Sequence, residues 1–383
     1  MNKYWLTSLI TSLIILIITT GLFLYTSGYR FDRNANKKIN VTETGMVSAK
    51  SIPEGATTYL DGALTTATND TISGILAGTH NLRIVKKGYV DWSKNIEVFP
   101  QLVTDITAIL ISQSPRLEPL TNTGAKAPSI SHSLSKLAYF SKDDLTAGIW
   151  VIPLTQNGLS IFRSPASIVL EDTPTNIYSN GKSIKWSPDE KNLLIEDEGK
   201  KFFLLDLDTK IAKLTTKPED ILKEWENKQL KKRTDFIQKL DIPDDMKIIA
   251  VSANVIWSPD EKKFLYTLQK TDKIEYRVFN MEKPIPIGEK TDNLVFEISL
   301  TAPKPKVSWY SDSFHLILTE NFDSKQNRGT INLIRIDGTN KTEIYNNTIY
   351  SDSVFSAPGG DKLIVLTSFK SAGNSDLYTI GIR

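Results

Sequence analysis

The hexapeptide WSPDEK occurs twice, at Trp186–Lys191 and again at Trp257–Lys262. Around each copy the pattern is the same: an apolar run ending in the tryptophan, a polar turn, then an alternating apolar strand (IKWSPDEKNLLIED and VIWSPDEKKFLYTL). Three weaker copies align with these: ISHSLSKLAYF from Ile130, VSWYSDSFHLILTE around Trp309 and VFSAPGGDKLIVLTS around Phe355. A second strand follows every hairpin (GIWVIPL from Gly148, KFFLLDLDT from Lys201, IEYRVFNM from Ile274, INLIRIDGT from Ile331, DLYTIGIR from Asp376). IAKLTT from Ile211 and TEIYNN from Thr342 add a further, polar-edged strand. Short strands in fours at intervals of about 40–45 residues have the period of a propeller blade. The sequence therefore predicts a mainly β chain with five or six blades.

In this pattern the hexapeptide specifies shape. Trp186 and Trp257 end inner strands and pack between neighbouring blades. Pro188 and Pro259 supply the fixed φ of a turn, and Asp189 and Asp260 bond back to nearby backbone amides. A chemical reading would make Asp189–Glu190 or Asp260–Glu261 a carboxylate pair for acid–base work or metal binding, but two copies at equivalent turns of different blades favour geometry. These units resemble the TolB-type propeller repeat, whose consensus has the form W-S-P-D-G-K. Glutamate stands at the glycine position of both full copies here, and the other three are degenerate. The resemblance covers about residues 114–383. It implies a ring used as a binding platform, a periplasmic adaptor or a gating domain of a peptidase. The last repeat has three strands, and Arg116–Thr121 ends in the same Leu-Thr as Leu214-Thr215. That segment is expected to pair with the final blade and close the ring, removing an open edge.

Trp5–Tyr25 contains no charge in 21 residues. A helix of that length spans about 30 Å, the thickness of bilayer hydrocarbon, so it is read as a single membrane span. A cleaved secretory signal is the alternative, disfavoured by the length of the run and the lack of an A-x-A site after it. Arg30, Arg33, Lys37 and Lys38 follow the span, and the positive-inside rule read literally places the rest of the chain in the cytoplasm.

Met46 begins short alternating runs broken by turn signals, with Asp61-Gly62 as a hairpin turn and Asn81–Val85 alternating like a half-buried strand. Pro53-Glu54-Gly55-Ala56, Tyr59-Leu60-Asp61-Gly62, Leu76-Ala77-Gly78-Thr79-His80, Lys86-Lys87-Gly88-Tyr89 and Trp92 resemble the PEGA domain. Asn69-Asp70-Thr71-Ile72 departs from its usual Thr-Pro pair at one turn. The resemblance implies a compact β-sandwich of bacterial and archaeal surface or envelope proteins that binds without catalysis. The expected layout is an anchor at 1–27, a juxtamembrane linker at 28–45, a PEGA-like sandwich at 46–113, and a propeller at 114–383 with a helical insertion at 217–243.

That insertion, PEDILKEWENKQLKKRTDFIQKLDIPDD, starts with Pro218, Glu219 and Asp220, which suit the first turn of a helix. It is expected to protrude. Its apolar clusters can fold back on a blade, leaving the basic stretch solvated. Alternatively Trp225, Lys231, Lys232, Arg233 and Phe236 form a docking surface for a partner or for anionic headgroups.

Lysine plus arginine exceed aspartate plus glutamate by only 46 to 44, so no overall field draws nucleic acid. Cysteine is absent, and the three histidines, His80, His132 and His315, are scattered over different units. No catalytic residue, cofactor site or metal site is read from the sequence. Asp206-Leu207-Asp208-Thr209 and Asn321-Phe322-Asp323 read as turns, without the remaining ligands of a calcium loop. The expected protein is non-enzymatic and single-pass, with its C-terminal domains outside the cytoplasm, binding a protein, peptide or glycan in the cell envelope. The alternatives are a gating propeller of a hydrolase complex and a cytoplasm-facing scaffold. Oligomeric state is not legible.

Overall fold

The computed structural model describes residues 3–26, 28–33, 39–143, 145–154, 166–369 and 375–383. Lys37 and Lys38, counted above toward orientation, lie outside the described residues. The chain divides into two compact units, Met1–Leu110 with Lys283–Glu289, and Ile111–Glu282 with Lys290–Arg383.

The first unit begins with helix α1 (Lys3–Thr26), whose stretch Thr7–Thr26 is long and apolar enough to cross a membrane. The hydroxyls of Thr11, Thr19 and Thr26 each donate to carbonyls three and four residues back, so these three polar groups are satisfied within the helix. Eight strands follow: β1 (Tyr29–Arg33), β2 (Ile39–Ile52), β3 (Thr57–Leu60), β4 (Ala63–Ala67), β5 (Asp70–Leu76), β6 (Gly78–Val85), β7 (Trp92–Val98) and β8 (Val103–Ile109). One sheet runs β1-β2-β5 with β8 parallel to β2, and the other runs β4-β3-β6-β7. Val47, Ile75, Ile106 and Ala108 of the first sheet share one core with Leu82, Ile84, Trp92, Ile96 and Val98 of the second. The period-two alternation read at Asn81–Val85 is what turns Leu82 and Ile84 inward. Asp61 and Gly62, with φ of 50° and 81°, form the expected hairpin turn between β3 and β4.

One expectation fails here. Residues 28–45, read as a linker, hold β1 and the start of β2, paired from Tyr29↔Glu43 to Arg33↔Ile39. The ladder is made by backbone groups, which polar side chains do not prevent, so the lack of hydrophobic alternation hid the hairpin.

The second unit starts at β9 (Arg116–Pro119) and continues as five four-stranded antiparallel sheets among the described residues. Blade one is β10 (Lys126–Ile130), β11 (Lys136–Ser141), β12 (Gly148–Pro153) and β13 (Ser167–Glu171). Blade two is β14 (Gly181–Trp186), β15 (Asn192–Asp197), β16 (Phe202–Asp206) and β17 (Ile211–Thr215). After helices α2 (Pro218–Ile237) and α3 (Asp244–Ala250), blade three is β18 (Ile256–Trp257), β19 (Lys263–Gln269), β20 (Lys273–Asn280) and β21 (Asp292–Ser299). Blade four is β22 (Lys306–Trp309), β23 (His315–Asp323), β24 (Arg328–Arg335) and β25 (Thr342–Thr348). Blade five is β26 (Phe355–Ser356), β27 (Lys362–Thr367), β28 (Asp376–Gly381) and, as its fourth strand, β9.

The ring closes by antiparallel pairing of β28 with β9, from Tyr378↔Pro119 to Gly381↔Arg116. The Thr121 hydroxyl donates to Asp376 at 3.1 Å, and Lys362 reaches Glu118 at 2.7 Å. The second strand of each blade is buried on both faces, which is why Leu193-Leu194-Ile195 and Leu363-Ile364-Val365 are continuous apolar runs. Cores are shared between neighbours. Phe140, Ile149, Trp186 and Leu193 join blades one and two; Leu265, Val278, Trp309 and Leu316 join three and four; Leu137, Tyr139, Ile364 and Leu377 join one and five.

The insertion does not protrude. Ile237, Leu240, Ile242 and Ala250 are packed with Phe264, Tyr266, Phe279 and Met281 of blade three, so α2 is held against the ring by its C-terminal end. Burial of these side chains outweighs whatever solvation an upright helix would gain.

Candidate functional site

The turn after each inner strand has one geometry in all five blades. The first turn residue donates its N–H to, and the fourth turn residue donates its N–H back across, the same loop: Ser187 N to Asn192 O at 2.9 Å and Glu190 N to Ser187 O at 3.0 Å in blade two. The same pair of bonds recurs from Ser131 to Lys136, Ser258 to Lys263, Tyr310 to His315 and Ala357 to Lys362. In every copy the fourth residue is left-handed: Leu134 (φ 61°), Glu190 (57°), Glu261 (55°), Ser313 (60°) and Gly360 (60°). Asp189 and Asp260 fasten their turns as expected, each accepting from the serine two residues before at 2.6 Å and from the lysine N–H two residues after. The Ser187 hydroxyl holds the Asp189 carboxyl below its ordinary pKa. These aspartates are geometry.

The tryptophans link blades. Trp186 Nε1 donates to Ser129 O of blade one at 3.0 Å, and Trp309 Nε1 donates to Ile256 O of blade three at 2.9 Å. Trp257 differs: its Nε1 donates to Ala250 O of α3, in the insertion, at 3.0 Å.

The glutamates do something else. A side chain at a left-handed position costs about 1–2 kcal/mol relative to glycine, and both carboxylates are used across an interface. Glu190 accepts the Ser133 N–H at 2.5 Å and the Ser133 hydroxyl at 2.8 Å, fastening the equivalent turn of blade one. Glu261 accepts from Lys232 of α2 at 2.7 Å, fastening the helix.

These groups surround a cavity of about 590 Å³ to which all five blades contribute, among them Ile130, Pro188, Trp257, Trp309 and Phe355, with Gln229 and Arg233 of α2 at its rim. Most of its charges are already paired. Lys228 is bound to Glu224 at 2.6 Å and Lys232 to Glu261. Arg233 is half-buried, lies 5.2 Å from the centre of the Trp257 ring, and makes no hydrogen bond or ion pair among the described residues. Burial lowers its pKa, with Glu261 pulling the other way. His132 opens onto the cavity, yet the atoms around its ring desolvate it and lower its pKa; Glu190 opposes this, and Arg233 and Lys232 add to it.

Of the five residues singled out from sequence, Lys232 and Arg233 line this cavity. Phe236 packs edge-on against Trp257, with ring centres 6.2 Å apart. Trp225 borders a separate hollow of about 250 Å³ with Pro188, Asp189 and Asn192, and Lys231 is exposed. Sequence reasoning missed His132, Glu190, Glu261 and Trp309 as cavity residues. The signal for the glutamates was present, since each replaces a glycine that the turn prefers. Asp206 is an Asx turn, accepting from Asp208 N and Thr209 N. Among the described residues no group of three or more His, Asp or Glu is placed to hold a metal.

Residues 44–112 match the PEGA domain family. No curated protein matches the chain in sequence. Among solved structures, the chain is similar to TolB from Acinetobacter baumannii at 10% identity and a TM-score of 0.27, covering 85% of this chain and 63% of that one. A putative TolB from Agrobacterium tumefaciens is 16% identical with a TM-score of 0.23, covering 67% of this chain and 79% of that one. The acylaminoacyl peptidase of Pyrococcus horikoshii is 12% identical with a TM-score of 0.23, over 68% of this chain and 39% of that one. The propeller assignment stands on the sheet order and ring closure described above.

Proposed function

We propose that this chain is a non-enzymatic, membrane-anchored envelope protein that binds a protein, peptide or glycan partner, and that the propeller mouth makes the contact. The observation that carries this reading is the cavity itself. Four inner strands and the Pro188–Glu190 turn of blade two converge on it, Glu190 and Glu261 bond across its wall, and Arg233 makes no ion pair with a described residue. A rigid ring that fixes loops around a concave opening suits recognition.

Helix α1 supports anchoring, and the PEGA match at 44–112 supports an extracytoplasmic address. The basic residues after the span weigh against that address, but Arg30 has a local task. Its guanidinium donates to Tyr25 O at 2.8 Å and lies 4.1 Å from the centre of the Tyr25 ring, capping the carbonyl end of α1.

A photo-cross-linking residue at Gln229, on the cavity rim, tests the contact against one at Lys213 on the outer strand of blade two. Capture in whole cells from position 229 and not from 213 is expected; equal capture, or capture from 213 alone, overturns the reading. Protease applied to intact cells and to spheroplasts tests the address. Digestion of the propeller only after the cytoplasmic membrane is breached would place it inside and refute the external orientation.

A further inference from the structure

The mouth has a defined polarity of charge and of wall chemistry. Serines on its wall are occupied: Ser258 Oγ donates to Asp260, Ser308 Oγ to Val354 O, and Ser356 Oγ accepts from Ser311 N. The apolar part of the wall is Ile130, Ile256, Val307 and Val354 with the rings of Trp257 and Trp309, and His132 and Gln229 add neutral polar groups. A glycan presents hydroxyls on all sides, and the apolar part of this wall offers them no partners. Among the three cations that line the mouth, Arg233 is the one without an ion pair to a described residue, and its planar fork is matched to a carboxylate. Its half-burial makes an anion more favourable there than in water. A phosphate dianion is a poor match, because Lys228 and Lys232 are paired and Glu190 and Glu261 stand at the rim. A monoanion next to an apolar group fits. The cavity, about 590 Å³, falls within the roughly 300–1,000 Å³ of pockets that enclose a small ligand, which is room for a few peptide residues.

We infer that the propeller mouth takes the free carboxyl terminus of a peptide, with its carboxylate on Arg233 and its last apolar side chain between Trp257 and Trp309. This inference rests on the binding reading above and narrows it to one ligand class. The Trp257 ring then has a second task, since it both orients the guanidinium and forms the apolar wall.

The test uses the full chain in detergent micelles and follows tryptophan fluorescence during titration with N-acetylated Ala-Ala-Leu and Ala-Ala-Phe, each as free acid and as carboxyl amide. Ala-Ala-Asp-amide and a trimeric uronic acid serve as other carboxylate sources. Free acids are expected to bind at millimolar concentration or below, and the amides about 10-fold to 100-fold more weakly, the effect of losing a charge-assisted hydrogen-bonded pair. Arg233→Met should show the same loss and Arg233→Lys part of it, while Lys223→Met on the exposed face of α2 should bind as the parent does. Comparing acid with amide requires no variant, so a misfolded Arg233→Met protein would leave the test intact. Equal binding of acid and amide overturns the inference. So does preference for the uronic acid or for the aspartyl amide, and so does a failure of every peptide to bind. If peptides fail while position 229 still captures a partner, the carboxylate inference falls and the mouth reading stands; if both fail, both fall.

Discussion

Replacing Glu190 and Glu261 together, once by alanine and once by glycine, separates backbone geometry from side-chain bonding at the repeated turn. Both positions hold φ near +55°, where a side chain costs about 1–2 kcal/mol. Glycine returns roughly 0.5–1 kcal/mol of that through its greater freedom in the unfolded chain. The net advantage of glycine over alanine is therefore about 0.5–1 kcal/mol per turn, or about 1–2 kcal/mol for the pair. Alanine and glycine lose the same carboxylate contacts, with Ser133 and Lys232, so those cancel in the comparison. At about 2–4 °C per kcal/mol for a domain approaching this size, the double glycine variant should melt roughly 2–8 °C above the double alanine variant. The assay is thermal unfolding of the full chain in detergent, read by the fluorescence of Trp186, Trp257 and Trp309, which lie in the propeller. A double glycine variant that melts at or below the alanine variant refutes the left-handed assignment, and with it the account of WSPDEK as a turn whose fourth residue carries strain.

Trp186→Ala removes a side chain that is 6% exposed and donates to Ser129 O, and should cost about 3–5 kcal/mol in a denaturant titration of the propeller transition. Ile237→Ala, at the buried end of α2, should cost about 2–4 kcal/mol and raise hydrogen exchange of α2 amides above that of β19. In the sandwich, burial of the His80 ring works against its proton, but hydrogen bonds to Asp61 at 2.6 Å and to Leu76 O at 2.7 Å outweigh this and raise its pKa, while the bond from His80 lowers that of Asp61. The raised histidine contributes stability that is complete below its unfolded pKa of about 6.5 and is lost as pH rises through the folded value; the depressed aspartate contributes above about 3.9 and is lost as pH falls through its folded value. The pair is therefore fully effective between about pH 4 and 6.5. Asp61→Asn should bring the His80 titration, followed by NMR, back toward the ordinary value; an unchanged midpoint would reject the pairing.

Much of the architecture was legible because propeller blades and sandwich strands announce themselves by local periodicity. The apolar runs at Leu193–Ile195 and Leu363–Val365, the turn at Asp61-Gly62 and the uncharged Trp5–Tyr25 each follow from residues that are neighbours in the chain. Ring closure was inferable from a missing fourth strand, and β9 supplies it. The hairpin of β1 with β2 was not inferable, since its bonds join backbone groups under side chains with no alternating pattern. The insertion shows the same division: Pro218, Glu219 and Asp220 predicted a helix and its apolar clusters could fold back on a blade, but that Ile237 and Leu240 meet Phe264 and Phe279 of blade three is a tertiary fact.

The site belongs to the second kind of information. His132, Glu190, Arg233, Trp257, Trp309 and Phe355 come from five blades and an inserted helix, and no spacing rule links them. The sequence by itself determined the long apolar helix, the PEGA domain, the repeat and the turn, because period, apolar length and backbone preference act over a few residues. Only the tertiary structure decided where α2 lies, which charges it meets, and that among the cavity-lining cations Lys228, Lys232 and Arg233 the last makes no ion pair with a described residue, because these depend on contacts made after the ring has closed.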